Sequence, residues 1–261
     1  MLEFLKTKKE KCKYTLLYQI VNSPECEYST DNENYFMARS DKKHAIWIWS
    51  KDDLNKNAFN ELKKTIEKFL VDGEAVKFTC SQELYNALKK DGFKYLSDDY
   101  FEMGTYCCEQ TKKPVSVGGK FRLAQSEEIE LLAKYHKDEM AEIEKIQITM
   151  EQSQKDIEDL LLSQNKKLYV WEDDNKKIVC MAALNINESF ARINYVYTPK
   201  EERCKSYAKN LIYSLTQIAL DDNKLPILYT DYNYPASNKA YMSVGYESCG
   251  ILINFSCKKS I

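Results

Sequence analysis

The residues Glu201-Glu-Arg-Cys-Lys-Ser-Tyr-Ala208 join a stretch of strand character, 191–198, to a long amphipathic helix. A strand that enters a helix through a tight turn aims unbonded backbone N–H groups at whatever sits on the helix end. The helix dipole adds positive charge at the same place, so such a turn suits an anion, a pyrophosphate in particular. Arg203 and Lys205 bring side-chain charge to that spot. Cations at a helix start oppose the dipole, so two of them there point to an anionic partner. An ordinary solvated turn is the competing reading.

Other chemistries have little material. Seven glycines are spread through 261 residues, and none of their spacings makes G-x-G-x-x-G or a phosphate loop of the G-x-x-x-x-G-K type. His44 and His136 are the only histidines, too few for a histidine-rich metal site or a nucleophilic triad. Nine cysteines form no C-x-x-C pair, so neither a zinc ribbon nor a dithiol redox motif is expected, and no metal is. The net charge of −2 offers no field for nucleic acid or anionic lipid. The lysine-peppered residues 1–14 lack the apolar core of a signal peptide, and the longest apolar run, 178–184, is far too short to span a bilayer. The expectation is a reduced, cytoplasmic chain with buried thiols, no membrane partner and no nucleic-acid partner.

The elements that must position the turn follow from periodicity. Before residue 110, strands are predicted at 35–39, 45–49 and 75–79, with helices at 54–70 and 81–90, the second stopped by Gly92. The stretch 110–119 holds Pro114, Gly118 and Gly119 and reads as a linker between residues 1–117 and 118–261. Beyond it come a strand at 121–124, an acidic helix capped by Ser126, and a second helix at 153–162. Strands at 167–171 and 178–185 are separated by the turn Asp173-Asp174-Asn175. In the strand 191–198, Ile193, Tyr195 and Tyr197 alternate with Arg192, Asn194 and Val196, as a half-buried strand requires. Ala208, Leu211, Ile212, Leu215, Ile218 and Ala219 then recur at helical spacing between Arg203 and Asp222. A strand at 226–231, a helix at 236–244 ended by Gly245, and a strand at 246–257 close the chain.

This C-terminal region resembles the GCN5-related N-acetyltransferase (GNAT) family from about Phe121 to the end. Arg203-x-x-Ser206-x-Ala208 fits the frame of that family's R/Q-x-x-G-x-G/A loop, with Tyr197-Thr-Pro199 before it and Tyr207-Ala208 closing it. Tyr229-Thr-Asp231, Pro235-Ala-Ser-Asn238 and Tyr241-Met-Ser-Val-Gly-Tyr246 are similar to its closing strand, helix and strand. Cys204 and Ser206 stand where the family has glycines, and Tyr234 where it has asparagine before the helix proline. The resemblance implies an α+β fold, with a mixed, mostly antiparallel sheet flanked by helices. It implies acetyl-CoA as cosubstrate, its pyrophosphate on the backbone of Arg203, Cys204, Lys205, Ser206, Tyr207 and Ala208. The pantetheine would lie along Val196 and Tyr197, and Asn238 would contact the cofactor. Tyr241 would protonate the departing thiolate.

The acceptor implied is a primary amine of a small molecule or a peptide, and an ammonium must lose a proton before it attacks. Residues 126–163 carry eleven acids against four bases, so Asp138, Glu139, Glu142 or Glu144 could meet it, with Asp231 a further candidate. A solvated acidic face is the plainer reading of those acids. His136 reads as a helix residue without a catalytic role. Residues 1–109 echo the strand, helix and Gly-aromatic order of the C-terminal part, as a worn second copy would, with Leu88 at the position of Tyr241. Two readings stay open, an acetyltransferase and a CoA-binding or regulatory module on the same fold. A homodimer is compatible with either.

Overall fold

The structure, a computed structural model, describes residues 5, 7–22, 26–30 and 33–259. Residues 1–4 and 6 of the lysine-peppered N-terminus lie outside them. The chain forms two compact units, one of residues 1–105, 231–233 and 249–261, the other of 106–230 and 234–248. These differ from the division at 117/118 read from the sequence, because the chain's final strand belongs with the first unit.

In the first unit, helices α1 (Lys8–Lys13) and α2 (Thr15–Val21) precede strands β1 (Glu27–Thr30), β2 (Tyr35–Arg39) and β3 (Ile46–Ser50). Helix α3 (Lys56–Phe69), strand β4 (Ala75–Ser81), helix α4 (Gln82–Lys90) and strand β5 (Leu96–Cys107) follow. Strands β1, β2 and β3 pair antiparallel, and β3 pairs parallel with β4 at Ile46↔Phe78 and Trp47↔Thr79. Asn55 and Ser81 cap α3 and α4, their side chains accepting from Ala58 N and Leu84 N. Helices cover both faces of this sheet. Leu62, Ile66, Leu84 and Leu88 pack with Phe78 on one side, and Leu17 packs with Phe36, Trp47 and Trp49 on the other.

In the second unit, strand β6 (Lys120–Leu123) leads to helices α5 (Ile129–Glu139) and α6 (Met150–Leu162). Strands β7 (Lys166–Glu172), β8 (Ile178–Ile186) and β9 (Phe190–Tyr197) come next, then helix α7 (Tyr207–Asp221), strand β10 (Leu225–Asp231) and helix α8 (Pro235–Val244). The final strand, β11 (Glu247–Lys258), pairs antiparallel with β4, from Leu252↔Ser81 to Lys258↔Ala75. The strand order here is β10-β9-β8-β7-β6, antiparallel except for the β9/β10 pair. Strand β8 is buried from Ile178 to Leu184 because α7 covers one face and α5 with α6 the other. That explains the apolar run of 178–184 without a membrane. No helix among the described residues is long and apolar enough to cross one.

Both units use the same order: two helices, three antiparallel strands, a helix, a parallel strand, a helix. The short helices α1 and α2 went unread because Cys12, Thr15 and Leu17 are the few buried residues among lysines and polar neighbours. Ser126 is not the cap expected of it. Residues Ser126–Glu128 form a 3₁₀ turn whose capping partners are Gln125 and Glu128, with Gln125 N donating to Glu128 Oε2 at 2.8 Å. Helix α6 starts earlier than expected because Thr149 caps it, accepting from Gln152 N.

The stretch 110–119 is not a loose connection. Lys112 N donates to Val244 O at 2.6 Å, Asn210 Nδ2 to Val115 O at 2.9 Å, and Trp171 Nε1 to Gly118 O at 3.0 Å. Gly245 closes α8 at φ 115°, where a Cβ would stand 2.4 Å from Gln110 O. Both the left-handed backbone and the contact exclude a side chain. Gly245→Ala should therefore lower stability by about 1–3 kcal/mol in urea unfolding. A variant as stable as the parent would mean that this strap is not held against the end of α8.

Candidate functional site

The site begins where two strands part. The parallel register of β9 and β10 runs from Phe190↔Leu225 to Ile193↔Leu228, although β9 continues to Tyr197 and β10 to Asp231. On the other side of β9, the register with β8 shifts between Met181↔Tyr197 and Ala183↔Asn194, so two residues of β9 face one of β8. Tyr195 lies in that bulge at φ 52°. A bulge bends its strand and sharpens its twist, which turns the end of β9 away from β10. Val196 and Tyr197 are on the diverging portion, Tyr197 buried and Val196 half-buried.

Beyond β9, residues Lys200–Glu202 make a single 3₁₀ turn. Helix α7 starts at Tyr207, four residues later than the sequence reading, because Cys204 and Ser206 are both left-handed, at φ 62° and 64°. These are the two positions where the resemblance places glycine. Their backbone keeps the glycine-like conformation although each carries a Cβ. Among the described residues, the N–H groups of 204–209 make no hydrogen bond within the chain. Six unbonded donors at a helix start form a cradle for an anion. Tyr207 and Ala208 anchor the first turn of α7 against the core.

The two cations of the loop are already engaged. Arg203 donates from both terminal nitrogens to Glu142, at 2.6 and 2.9 Å, and from Nε to Thr198 O at 2.9 Å, with its guanidinium over the Tyr197 ring. Lys205 Nζ is 2.9 Å from Glu202 Oε2, and Lys177 holds the other oxygen of Glu202. Glu142 is held below the usual carboxylate range by Arg203, and Glu202 by Lys177 and Lys205. The expected free positive charge at the helix start is thus neutralised by two carboxylates of the chain itself. The amides, not these side chains, remain open to an anion.

Helix α8 presents Tyr241 and Asn238, both buried. The Tyr241 ring packs edge-on against Tyr246, 6.3 Å between ring centres. Burial pushes this phenol well above its ordinary pKa, and Cys180 and Glu139 nearby push it the same way. It stays protonated through the physiological range. Burial also pushes the Cys180 thiol up, to about 12, so it is a poor nucleophile.

The acidic candidates separate by position. Glu139, at the end of α5, is buried beside His136. Glu142 belongs to the π-helical turn Met140–Glu144 and is spent on Arg203. Asp138 lies within electrostatic reach of Tyr197 and is half-buried. The side chain of Glu144 lies outside the described residues. Asp231 accepts from Asn233 N at 2.8 Å and closes a turn. His136, read from the sequence as a helix residue without a catalytic role, is 3% exposed between Glu139 and Asp156. Its i,i+3 spacing from Glu139 was a visible signal, but Asp156 comes from another helix.

Residues 130–246 match the acetyltransferase (GNAT) family. None of the curated proteins matches the chain. Among solved structures, an acetyltransferase of the GNAT family from Colwellia psychrerythraea superposes with a TM-score of 0.61 at 16% identity, over 95% of this chain and 97% of that one. A GCN5-related N-acetyltransferase from Kribbella flavida superposes with a TM-score of 0.62 at 13% identity, over 94% and 93%. These two likenesses are of fold, and they span both units. The bulged, diverging strand, the amide-lined loop and the match to the acetyltransferase (GNAT) family, over residues 130–246, fall on the same segment.

Proposed function

We propose that the chain is an N-acetyltransferase that moves the acetyl group of acetyl-CoA directly onto a primary amine of a small molecule or peptide. The observation that carries this reading is the parting of β9 from β10 beyond Ile193 and Leu228, next to the unbonded amides of 204–209. The residues fit a CoA-type ligand. The amides of Cys204, Lys205, Ser206, Tyr207 and Ala208, just after Arg203, bind the pyrophosphate, where the left-handed turns at Cys204 and Ser206 bring backbone close to phosphate. The edge of β9 at Val196 and Tyr197 binds the pantetheine amides as an added strand does. Asn238, buried in the first turn of α8, contacts the cosubstrate from the opposite wall.

When bound, acetyl-CoA supplies a thioester carbonyl open to attack by the amine. Tyr241 holds its proton and delivers it to the departing sulfur, a general-acid role suited to a phenol that never ionises at neutral pH. Direct transfer is favoured over an acyl-enzyme because Cys180, the thiol near Tyr241, is buried and kept neutral. A second reading has its own observation. Arg203 and Lys205 are paired with Glu142 and Glu202, which weakens the pull on phosphate and would suit a CoA-binding or regulatory module. The two readings separate by experiment: acetyl-CoA raises the Tm under both, but only the first releases free thiol with an amine and yields a product heavier by one acetyl group.

The first unit repeats the element order but has Leu88 where Tyr241 stands, so we read it as a worn copy without a CoA site. Calorimetric titration should find one acetyl-CoA per chain, and two would overturn that assignment. Tyr241→Phe should lower turnover by roughly 10²–10⁴ while CoA affinity stays nearly intact. Full turnover at saturating substrates would remove Tyr241 from the mechanism. Replacing Cys204 and Ser206 together by glycine should relieve about 1 kcal/mol or more of left-handed strain and tighten CoA binding. Weaker binding in that variant would mean that the side chains, not the backbone, make the contact.

A further inference from the structure

We infer that Glu139 takes the proton from the acceptor ammonium and that His136 and Asp156 pass it out to solvent. This rests on the acetyltransferase reading above. Glu139 and His136 are among the most buried polar residues of the domain, 5% and 3% exposed. Oε2 of Glu139 and Nδ1 of His136 have no hydrogen-bond partner, yet they stand 3.5 Å apart, facing one another. Buried polar atoms are rarely left unsatisfied, and an orphaned acceptor facing an imidazole nitrogen is a pair poised to share one proton. On the other side of the ring, Nε2 lies 3.4 Å from Asp156 Oδ2. Asp156 has a side chain 40% exposed and lines an open cleft with Asp159, Ser163, Lys166 and Tyr195. The three groups therefore form a chain of contacts from buried Glu139 to the open cleft, which His136 lines as well.

Glu139 is close enough to the Tyr241 phenol to disfavour its ionisation. Tyr195, the bulge residue at which β9 leaves β10, packs edge-on against the His136 ring at 5.2 Å. An amine that attacks a thioester whose sulfur faces Tyr241 must come to this neighbourhood. Burial alone would strip charge from His136, but Glu139 and Asp156 outweigh it and hold the ring's pKa above its ordinary value. The groups facing the ring are Glu139 on its own helix, Asp156 on α6 and Tyr195 on β9, with Asp159 and Lys166 along the cleft.

Protons balance as follows. Glu139 accepts one proton from the ammonium, which frees the nitrogen lone pair. The N–C bond forms and the C–S bond breaks as Tyr241 gives its proton to sulfur. The second nitrogen proton restores Tyr241, and the first leaves through His136 and Asp156. One proton is released per turnover. Glu139 is then a catalytic residue, while His136 and Asp156 act through it.

Two measurements on the full chain test this. His136 and His44 are the only histidines, so their ring signals in an NMR titration are assigned with His136→Gln. Glu139→Gln, and separately Asp156→Asn at the accessible end, should each make His136 titrate at lower pH. In assays with acetyl-CoA and an alkylamine, Glu139→Gln should lose about 10²-fold in turnover at neutral pH. Its acid limb should move up toward the amine's own pKa, with KM for acetyl-CoA unchanged. Asp156→Asn should shift the acid limb with a smaller loss. If His136 titrates identically in both variants, or if folded Glu139→Gln keeps the parent's rate and pH profile, the assignment fails. A parent chain that releases no thiol with any amine overturns the acetyltransferase reading and this assignment together, whereas an active parent with an indifferent Glu139→Gln overturns the assignment alone.

Discussion

The four-residue length of the β9/β10 ladder is the constraint on which the rest of the domain depends. Two parallel strands that paired to their ends would leave no gap and no open edge. Here the bulge at Tyr195 rotates β9 after Ile193, and the backbone of Val196 and Tyr197 loses its neighbour in β10. An unpaired strand edge is costly unless something pairs with it, and such an edge is open to an added strand. Buried packing holds it open. Ile193 and Leu228 are locked in the core with α7 on one side, while Tyr197 packs with α5 and β8 on the other.

Charge is then arranged around the split by pairing within the chain. Glu142, from the turn after α5, reaches Arg203, and Glu202 is shared by Lys177 and Lys205. Both contacts are partly buried, so they outlast salt better than surface pairs do. They tie the α5–α6 side of the domain to the loop that starts α7. The left-handed residues Cys204 and Ser206 let that loop present its amides outward instead of beginning the helix at once. Backbone conformation thus leaves the loop's amides unbonded, while its side-chain cations are paired within the chain.

The remaining polar groups divide by burial. Tyr241 and Cys180 lie deep enough that burial keeps both protonated. Glu139 and His136 are as buried but face each other, and Glu139 and Asp156 hold the His136 ring above its ordinary pKa against the effect of burial.

Much of this was legible in the residues. The alternation of Ile193, Tyr195 and Tyr197, the helical spacing from Ala208 to Ala219, and Gly245 as a helix stop each report a local backbone preference, and local preferences survive folding here. The frame of Arg203, Ser206 and Ala208 located the loop for the same reason. What stayed hidden depends on pairs far apart in the chain. The sequence expectation of free charge on Arg203 failed because Glu142 lies 61 residues away, and no periodicity announces such a partner. The surroundings of His136 were hidden because Asp156 joins it only when α5 and α6 pack together. The stretch 110–119 read as a linker from its proline and glycines, but Val244, Asn210 and Trp171 bind it down. The last strand followed α8 in sequence yet paired with β4, since strand pairing is decided by which edge is open after the core has closed. Local chemistry determined the elements and the loop; only the tertiary structure decided which charges are neutralised, which polar groups meet in the interior, and where the strands part.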